Sequence, residues 1–202
     1  MQFAADWGFG HQDRIPGADI VLIKKENQVV TIEVHQFCDF TTRETDALAA
    51  LRSTVDFGVP PYVWASPVDR PTRVLLWKNG ELVGHAGVLE RTIRVGTDEH
   101  HVAGLYSVMA RPDVRGLGYG SMVVRRAAEV AEATMPDARH IVLVCLESKV
   151  SFYERLGWNR LDAPVRFDQP DGHRLLEIVT MARPIGSAAW PSGDVDLHGL
   201  PW

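Results

Sequence analysis

One stretch of this sequence, Arg111-Pro-Asp-Val-Arg-Gly-Leu-Gly-Tyr-Gly120, joins two regular-looking segments through a glycine-rich turn. The segment before it, 102–110, is mostly apolar and predicts a buried strand. After it, apolar residues recur at helical spacing with charged residues between them: Val123, Val124, Ala127, Ala128 and Ala131. The chain is therefore expected to run from strand to glycine turn to amphipathic helix without interruption.

Glycines at the amino end of a helix suit a bound anion. Free backbone N–H groups and the helix dipole favour negative charge there, and the missing Cβ atoms let a pyrophosphate approach the backbone. A tight turn that needs glycine only for packing is the alternative. The stretch is not a Walker A loop, because no Gly-Lys-Ser/Thr follows. It is not a dinucleotide fingerprint either, since the spacing is Gly116-x-Gly118-x-Gly120 with no acidic ribose ligand at the expected distance.

Two motifs carry a family resemblance. The pattern Arg-x-x-Gly-x-Gly from Arg115 to Gly120, after a proline and a strand, resembles the acyl-coenzyme A (acyl-CoA) pyrophosphate loop of the GNAT superfamily of N-acyltransferases. The segment Phe152-Tyr-Glu-Arg-Leu-Gly-Trp158 is similar to the second hallmark, a short helix that carries a tyrosine and ends in glycine and an aromatic residue. The resemblance implies an α/β (α+β) fold: a mixed, mostly antiparallel central sheet flanked by helices.

Shorter segments narrow the resemblance to enzymes that acylate amino sugars. Segments 34–46 and 85–88 and the tail 190–195 look like the aminoglycoside 2'-N-acetyltransferases, whereas 85–96 with 111–113 is equally similar to the rhizobial nodulation N-acyltransferases. Two departures leave the substrate open. The acidic residue of the strand before the loop is missing, with Tyr106 near its place. The tryptophan that ends the aminoglycoside family's tail, with its carboxylate in the active site, is replaced by Asp196, and the sequence continues to Trp202.

The resemblance implies a cofactor site for acetyl-CoA. Backbone groups of Val108, Met109 and Ala110 are expected to pair with the pantetheine arm. The pyrophosphate is expected to bind the loop formed by Arg115, Gly116, Leu117, Gly118, Tyr119, Gly120 and Ser121. Tyr153 matches the family's general acid, and a phenol with a pKa of about 10 can return a proton to a leaving thiolate.

The acceptor site is less well marked. Asp194 matches a substrate-facing aspartate of the aminoglycoside family, and either Asp196, a catalytic candidate, or Trp202 is expected to supply the replaced carboxylate. A disordered acidic tail is the alternative. Trp64 lies in the proline-rich segment 57–71, which is either a substrate wall or a connection whose aromatic residues fill the core.

Composition excludes several classes of protein. The 202 residues carry a net charge of -5, which disfavours a nucleic-acid partner and mildly favours a cationic substrate. No apolar run approaches the ~20 residues of a membrane span, and no signal peptide is evident, so a cytoplasmic protein is expected. Two cysteines, Cys38 and Cys145, do not suggest disulfides, and the eight histidines indicate no metal site. A homodimer is left open.

The order of elements predicts one domain with two appendages. Residues 1–28 are assigned to an N-terminal extension, 29–185 to the acyltransferase domain and 186–202 to a tail that contributes to the acceptor site. Hairpins are expected at Asn79-Gly80 and at the turn that begins Val95-Gly96-Thr97, which is taken to include His100 and His101. Further predicted elements are a strand at 29–37, a helix from Thr41 or Thr42, a strand at 141–146, a helix at 149–156, and strands near 165 and at 175–181.

The sequence thus predicts an acetyl-CoA-dependent N-acetyltransferase that acylates a small amine, an amino sugar or aminoglycoside-like compound, by direct attack. One alternative is transfer of a longer acyl chain to an amino sugar. Another is a GNAT-like module that binds acyl-CoA without turnover. Tyr153 favours an enzyme, and the missing strand acid favours the module.

Overall fold

The computed structural model describes residues 19–25, 28–36, 40–65 and 71–202. The strands of this part of the chain are β1 (Asp19–Lys25), β2 (Gln28–Gln36), β3 (Thr72–Lys78), β4 (Glu81–Val95), β5 (Asp98–Ala110), β6 (His140–Cys145), β7 (Asn159–Arg160), β8 (Val165–Gln169), β9 (Gly172–Leu175), β10 (Val179–Pro184) and β11 (Val195–Asp196). Its α-helices are α1 (Thr42–Ser53), α2 (Tyr119–Thr134) and α3 (Val150–Glu154). None of these helices is long and apolar enough to cross a membrane.

The strands form one mixed sheet in the order β1-β2-β3-β4-β5-β6-β10-β7, and β11 joins β4 to the β8–β9 hairpin. Neighbours are antiparallel except for the pairs β5–β6 and β8–β11, which are parallel. Strand β1 pairs along its full length with β2, so the sheet begins inside the segment 1–28 assigned to an extension. Residues 1–18 and Cys38 lie outside the described residues.

Local sequence signals explain the first half of the fold. Thr41 caps α1 through a complete capping box with Glu44, as the sequence predicts for a helix beginning at Thr41 or Thr42. Asn79 and Gly80 both have positive φ, the conformation that a two-residue hairpin turn requires. The second hairpin turns more tightly than expected, at Gly96 and Thr97. The neighbouring His100 and His101 therefore belong to β5 rather than to the turn.

Alternation along the strands directs side chains to two separate layers. The buried face of α2, which includes Val123 and Ala127, packs with Val74 and Leu76 on one side of the sheet. Leu51 of α1 packs with Leu75 and other residues on the opposite side. Because residues 74 to 76 alternate between these clusters, α1 and α2 cover opposite faces.

The second half departs from the predicted elements in two places. The predicted strand at 175–181 is two strands, β9 and β10, because the backbone leaves the sheet between Leu175 and Val179. The predicted helix at 149–156 is shorter: a 3-10 turn at Glu147–Lys149 precedes α3, and Gly157 follows it with a φ of 90°. The aromatic residue after this glycine, Trp158, is buried in the main core.

Candidate active site

The parallel strands β5 and β6 separate part of the way along their length. They pair only from Val102 to Gly104, opposite His140 to Val142. Beyond that point β6 continues to Cys145 and β5 to Ala110 without further pairing between them. The gap between residues 105–110 and 143–145 is called the slot below. It leaves an edge of β5 that includes Val108, Met109 and Ala110, the residues expected to pair with a pantetheine arm.

A bulge in β5 accompanies this separation. Between the pairs His85–Met109 and Gly87–Tyr106, β5 contains two residues where β4 contains one. One of the two, Ser107, has a φ of 46°, which is rare for a residue other than glycine. Its carbonyl accepts a hydrogen bond from Nδ1 of His85 at 2.7 Å. His85 is fully buried, and burial lowers its pKa to about 4, so the ring is neutral at pH 7.

The glycine loop lies at the open end of the slot. Gly116 and Gly118 have φ values of 81° and 86°, and a Cβ atom on either would meet nothing within 4 Å. Gly118 immediately precedes α2, whose first N–H groups have no partner within the helix. A Cβ on Gly120 would contact Ala110 at the end of β5 and Phe152 of α3. The loop is thus an open cradle of backbone donors between the two walls of the slot.

Tyr153 stands at the β6 side of the slot. It is 8% exposed and packs edge-on against the rings of Phe152 and Trp158. Burial, and to a lesser extent the neighbouring Cys145, raise the pKa of Tyr153, so its phenol stays protonated. Burial also raises the pKa of Cys145, to about 11. The structure therefore brings a protonated phenol and a protonated thiol together where β6 ends.

The tail crosses the face of the sheet opposite α2 and ends beside the slot. The indole of Trp202 lies on Gly104, the last residue of β5 that pairs with β6, and a Cβ there would be 2.6 Å from Nε1 of Trp202. The carbonyl of Pro201 accepts a hydrogen bond from the backbone N–H of Ala65. The neighbouring Trp64 is half-buried and packs against Tyr62. Trp202 and Trp64 therefore lie on the same side of the slot.

Asp194 and Asp196 lie elsewhere. The carboxylate of Asp196 accepts a hydrogen bond from Arg94 at 2.6 Å, so the expectation that it offers a free charge to an amine is not met. Asp196 pairs with Arg94 on β4, whereas Gly104, where the slot begins, pairs with Leu89 of the same strand. Arg94 and Leu89 are five residues apart. Five residues of strand span about 17 Å. Asp194 is exposed, and its carbonyl accepts from Gly96 in the hairpin turn.

The register of the sheet also places one cationic group, Arg73, in line with the slot, and no motif in the sequence indicates this. Arg73 of β3 pairs with Gly87 of β4, and Gly87 pairs with Tyr106 of β5. The ring of Tyr106 lies over Gly87, since a Cβ on that glycine would be 2.1 Å from the ring. Tyr106 is near the position of the missing strand acid, so a phenol takes that position and an arginine lies two strands away.

One acidic cluster lies farther along the same row of strands. Glu33, His35 and Glu44 bring one potential ligand atom each to within 4.8 Å of one another. Nε2 of His35 lies 3.3 Å from Glu33 and 3.2 Å from Glu44. The hydrogen bond to Glu33 and the charge of Glu44 raise the pKa of His35 despite its partial burial. The contacts of His35 with the two carboxylates thus hold the cluster together.

Comparison with known proteins matches the segment of chain that forms the slot and its glycine loop. The model of the Acetyltransferase (GNAT) family matches residues 36–158, which contain the glycine loop and Tyr153. Nodulation protein A of Rhizobium leguminosarum bv. trifolii is 30% identical over 146 residues, which are 65% of this chain and 72% of the relative. Nodulation protein A of Rhizobium tropici is 28% identical over 141 residues, 63% and 70% of the two chains. These matches confirm the predicted likeness to the nodulation proteins.

Solved structures confirm the predicted fold class. Escherichia coli ElaA superposes with a TM-score of 0.56 at 22% identity, over 76% of this chain and 99% of that one. An acyl-CoA N-acyltransferase from Pseudomonas aeruginosa superposes with a TM-score of 0.55 at 21% identity, again over 76% and 99%. At this level of identity the likeness concerns the fold alone.

Proposed function

The chain belongs to the GNAT family of acetyltransferases and is an N-acyltransferase; from this premise we propose that it transfers the acetyl group of acetyl-CoA to a small amine, an amino sugar or aminoglycoside-like compound. The observation that carries the proposal is the slot. Its open end meets a backbone cradle at 115–121 suited to a pyrophosphate, and a protonated tyrosine stands on its β6 side.

In this proposal the cofactor lies along the slot. Val108, Met109 and Ala110 bind the pantetheine arm as an added strand would. The loop from Arg115 to Ser121 binds the pyrophosphate. The arrangement supports this because the edge of β5 is unpaired with β6 beyond Gly104 and because the cradle is open. The bound thioester carbon then lies near the bulge at Ser107.

The proposed reaction is direct transfer. The neutral amine attacks the thioester carbon, and the C–N bond forms as the C–S bond breaks. The amine nitrogen loses a proton to water, and Tyr153 donates a proton to the departing thiolate. A covalent route through Cys145 is disfavoured, because a thiol whose pKa is about 11 holds little thiolate at neutral pH. Preorganised backbone donors and positioning supply the rest of the acceleration.

The acceptor is proposed to enter from the side covered by α1 and the tail. The segment 54–65 and the tail 186–202 form its walls, with Trp64 and Trp202 at the slot. In this proposal the acyltransferase domain comprises 29–185 together with strand β1, which pairs with β2. Asp194 and Asp196 are not part of this proposed site, since Asp196 is paired with Arg94 and Asp194 is beside Gly96.

One observation favours the alternative of a longer acyl chain. A groove of about 550 Å³ begins at Leu146, the residue after β6, and runs along the start of β10. Apolar side chains line part of it, including Leu161, Leu176 and Val179. Its volume is within the roughly 300–1,000 Å³ of small-molecule sites. An acyl chain that leaves the slot at Leu146 could occupy it.

Release of free thiol from acetyl-CoA and palmitoyl-CoA, measured with a panel of amines that includes glucosamine and kanamycin, tests the proposal. Amine-dependent release supports N-acyl transfer, and the preferred donor decides between the two acyl lengths. Leu176→Trp, which fills the groove, should lower turnover of the long donor only. Absence of amine-dependent release by a folded protein that binds acetyl-CoA contradicts the proposal.

A further inference from the structure

A cross-strand row near Gly104, where β5 and β6 separate, combines a phenol, a glycine and an arginine. Tyr106, Gly87 and Arg73 are successive partners on β5, β4 and β3. Because Gly87 has no side chain, the ring of Tyr106 lies across it toward Arg73. The ring is 7% exposed, and its buried hydroxyl makes no hydrogen bond of good geometry with the described residues. The row thus brings a buried donor and a guanidinium to one place.

A second guanidinium approaches the same place from α1. Arg73 stacks on Phe40 at 4.7 Å, and Arg52 stacks on Phe57 at 4.7 Å. Within the described part of the chain neither forms an ion pair with a carboxylate, whereas Arg94, Arg111 and Arg160 do. Stacking on an aromatic ring holds a guanidinium in position while its N–H fork remains able to bind an anion.

Electrostatics shows that both arginines act on the same buried region. Burial lowers the pKa of His85, and the charges of Arg73 and Arg52 lower it further. Burial raises the pKa of Tyr106, whereas Arg73 opposes that rise. On the other side of Arg73, Nε2 of His35 lies 3.3 Å from Glu33 and 3.2 Å from Glu44, so both carboxylates have a partner. The charge of Arg73 therefore reaches both His85 and Tyr106, and the charge of Arg52 reaches His85.

We propose that Arg73, Arg52 and the hydroxyl of Tyr106 form an anion subsite within the acceptor site, so that the preferred acceptor carries a carboxylate or phosphate beside its amine. The inference rests on the proposed function and narrows its substrate class to anionic amino sugars, away from polycationic aminoglycosides. Guanidinium forks bind both kinds of oxyanion in bidentate fashion.

The test uses three acceptors with the same type of amine: glucosamine, glucosamine 6-phosphate and muramic acid. Turnover is measured by thiol release with the preferred donor. Binding of each amine is measured by calorimetry with CoA present, so that the loop at 115–121 is occupied. Arg73→Gln removes the charge of the subsite. Arg43→Gln is the matched control, because Arg43 stacks on Trp77 at 4.5 Å and lies outside the row.

The proposal expects at least one anionic acceptor to bind and react about tenfold or more better than glucosamine, and Arg73→Gln to abolish that advantage while Arg43→Gln retains it. The better of the two anionic acceptors identifies phosphate or carboxylate. Equal use of all three acceptors, or equal effects of the two substitutions, overturns the subsite but leaves amine acylation intact. Arg73-dependent binding without turnover of any amine supports the subsite and contradicts the proposed function.

Discussion

The buried imidazole of His85 should make the stability of this protein fall as the pH drops below neutrality. Its pKa is about 4 in the folded protein, against 6.5 for an unperturbed histidine. The unfolded chain therefore binds a proton at a higher pH than the folded chain does. The stability that neutral His85 contributes is fully present above about pH 6.5 and is lost progressively as the pH falls to about 4. Below that pH no further stability is lost through this group.

The size of this effect follows from the difference between the two pKa values. A difference of 2.5 units, at about 1.4 kcal/mol per unit, corresponds to a loss of about 3 kcal/mol between pH 7 and pH 4. A folded domain is stable by only about 5–15 kcal/mol, so the loss is readily measured. Protonation would also place a third cation beside Arg73 and Arg52.

Urea unfolding at pH 7, 6, 5 and 4.5 measures the effect. His85→Asn keeps an amide donor for the Ser107 carbonyl but does not titrate. From pH 7 to pH 4.5 its free energy of unfolding should therefore fall by about 2–3 kcal/mol less than that of the wild type. His101→Asn changes an exposed histidine on β5 and serves as control. The reasoning is refuted if His85→Asn has the same pH dependence as the wild type.

Three further substitutions test the slot and its loop. Gly118→Asp should abolish acetyl-CoA binding measured by calorimetry, because a carboxylate would enter the pyrophosphate cradle. The control, Gly118→Asn, carries the same backbone strain without the charge and should bind acetyl-CoA more tightly than the aspartate variant. Tyr153→Phe should lower kcat by about 10²–10⁴-fold with little change in KM for the acyl donor, and wild-type turnover would reduce Tyr153 to a packing residue. Gly104→Ala should cost about 1–3 kcal/mol, or about 2–4 °C of Tm per kcal/mol, because the new methyl group collides with the indole of Trp202. In a Trp202→Leu background the same change should cost less, whereas equal costs in both backgrounds would contradict the contact.

Local signals in the sequence were sufficient for much of the fold. The capping box at Thr41, the Asn79-Gly80 turn and the glycine loop before α2 each depend on a few neighbouring residues, and each is found where expected. The family match adds Tyr153, which stands at the slot. The cap, the turn and the loop could be predicted because their physical causes act within one turn or one hairpin.

Features that depend on register could not be predicted in this way. The row from Tyr106 to Arg73 exists only because three distant segments align across Gly87. The ion pair of Asp196 with Arg94 follows from the pairing of β11 with β4, and β11 is too short to show a pattern. A single strand was predicted at 175–181 because its apolar composition hides the break between β9 and β10. Net charge likewise gave no indication that Arg73 and Arg52 both act on His85.

The tail has a consequence for how the molecule opens. Val195 pairs with both Val95 and Val165, and the β8–β9 hairpin reaches the rest of the sheet through this short strand. The contact with β4 closes a loop of about a hundred residues, which is entropically costly to form. The hairpin and the tail should therefore behave as one cooperative unit that detaches before the central strands. Native-state hydrogen exchange should show their amides opening together, at a lower free energy than those of β3 to β5.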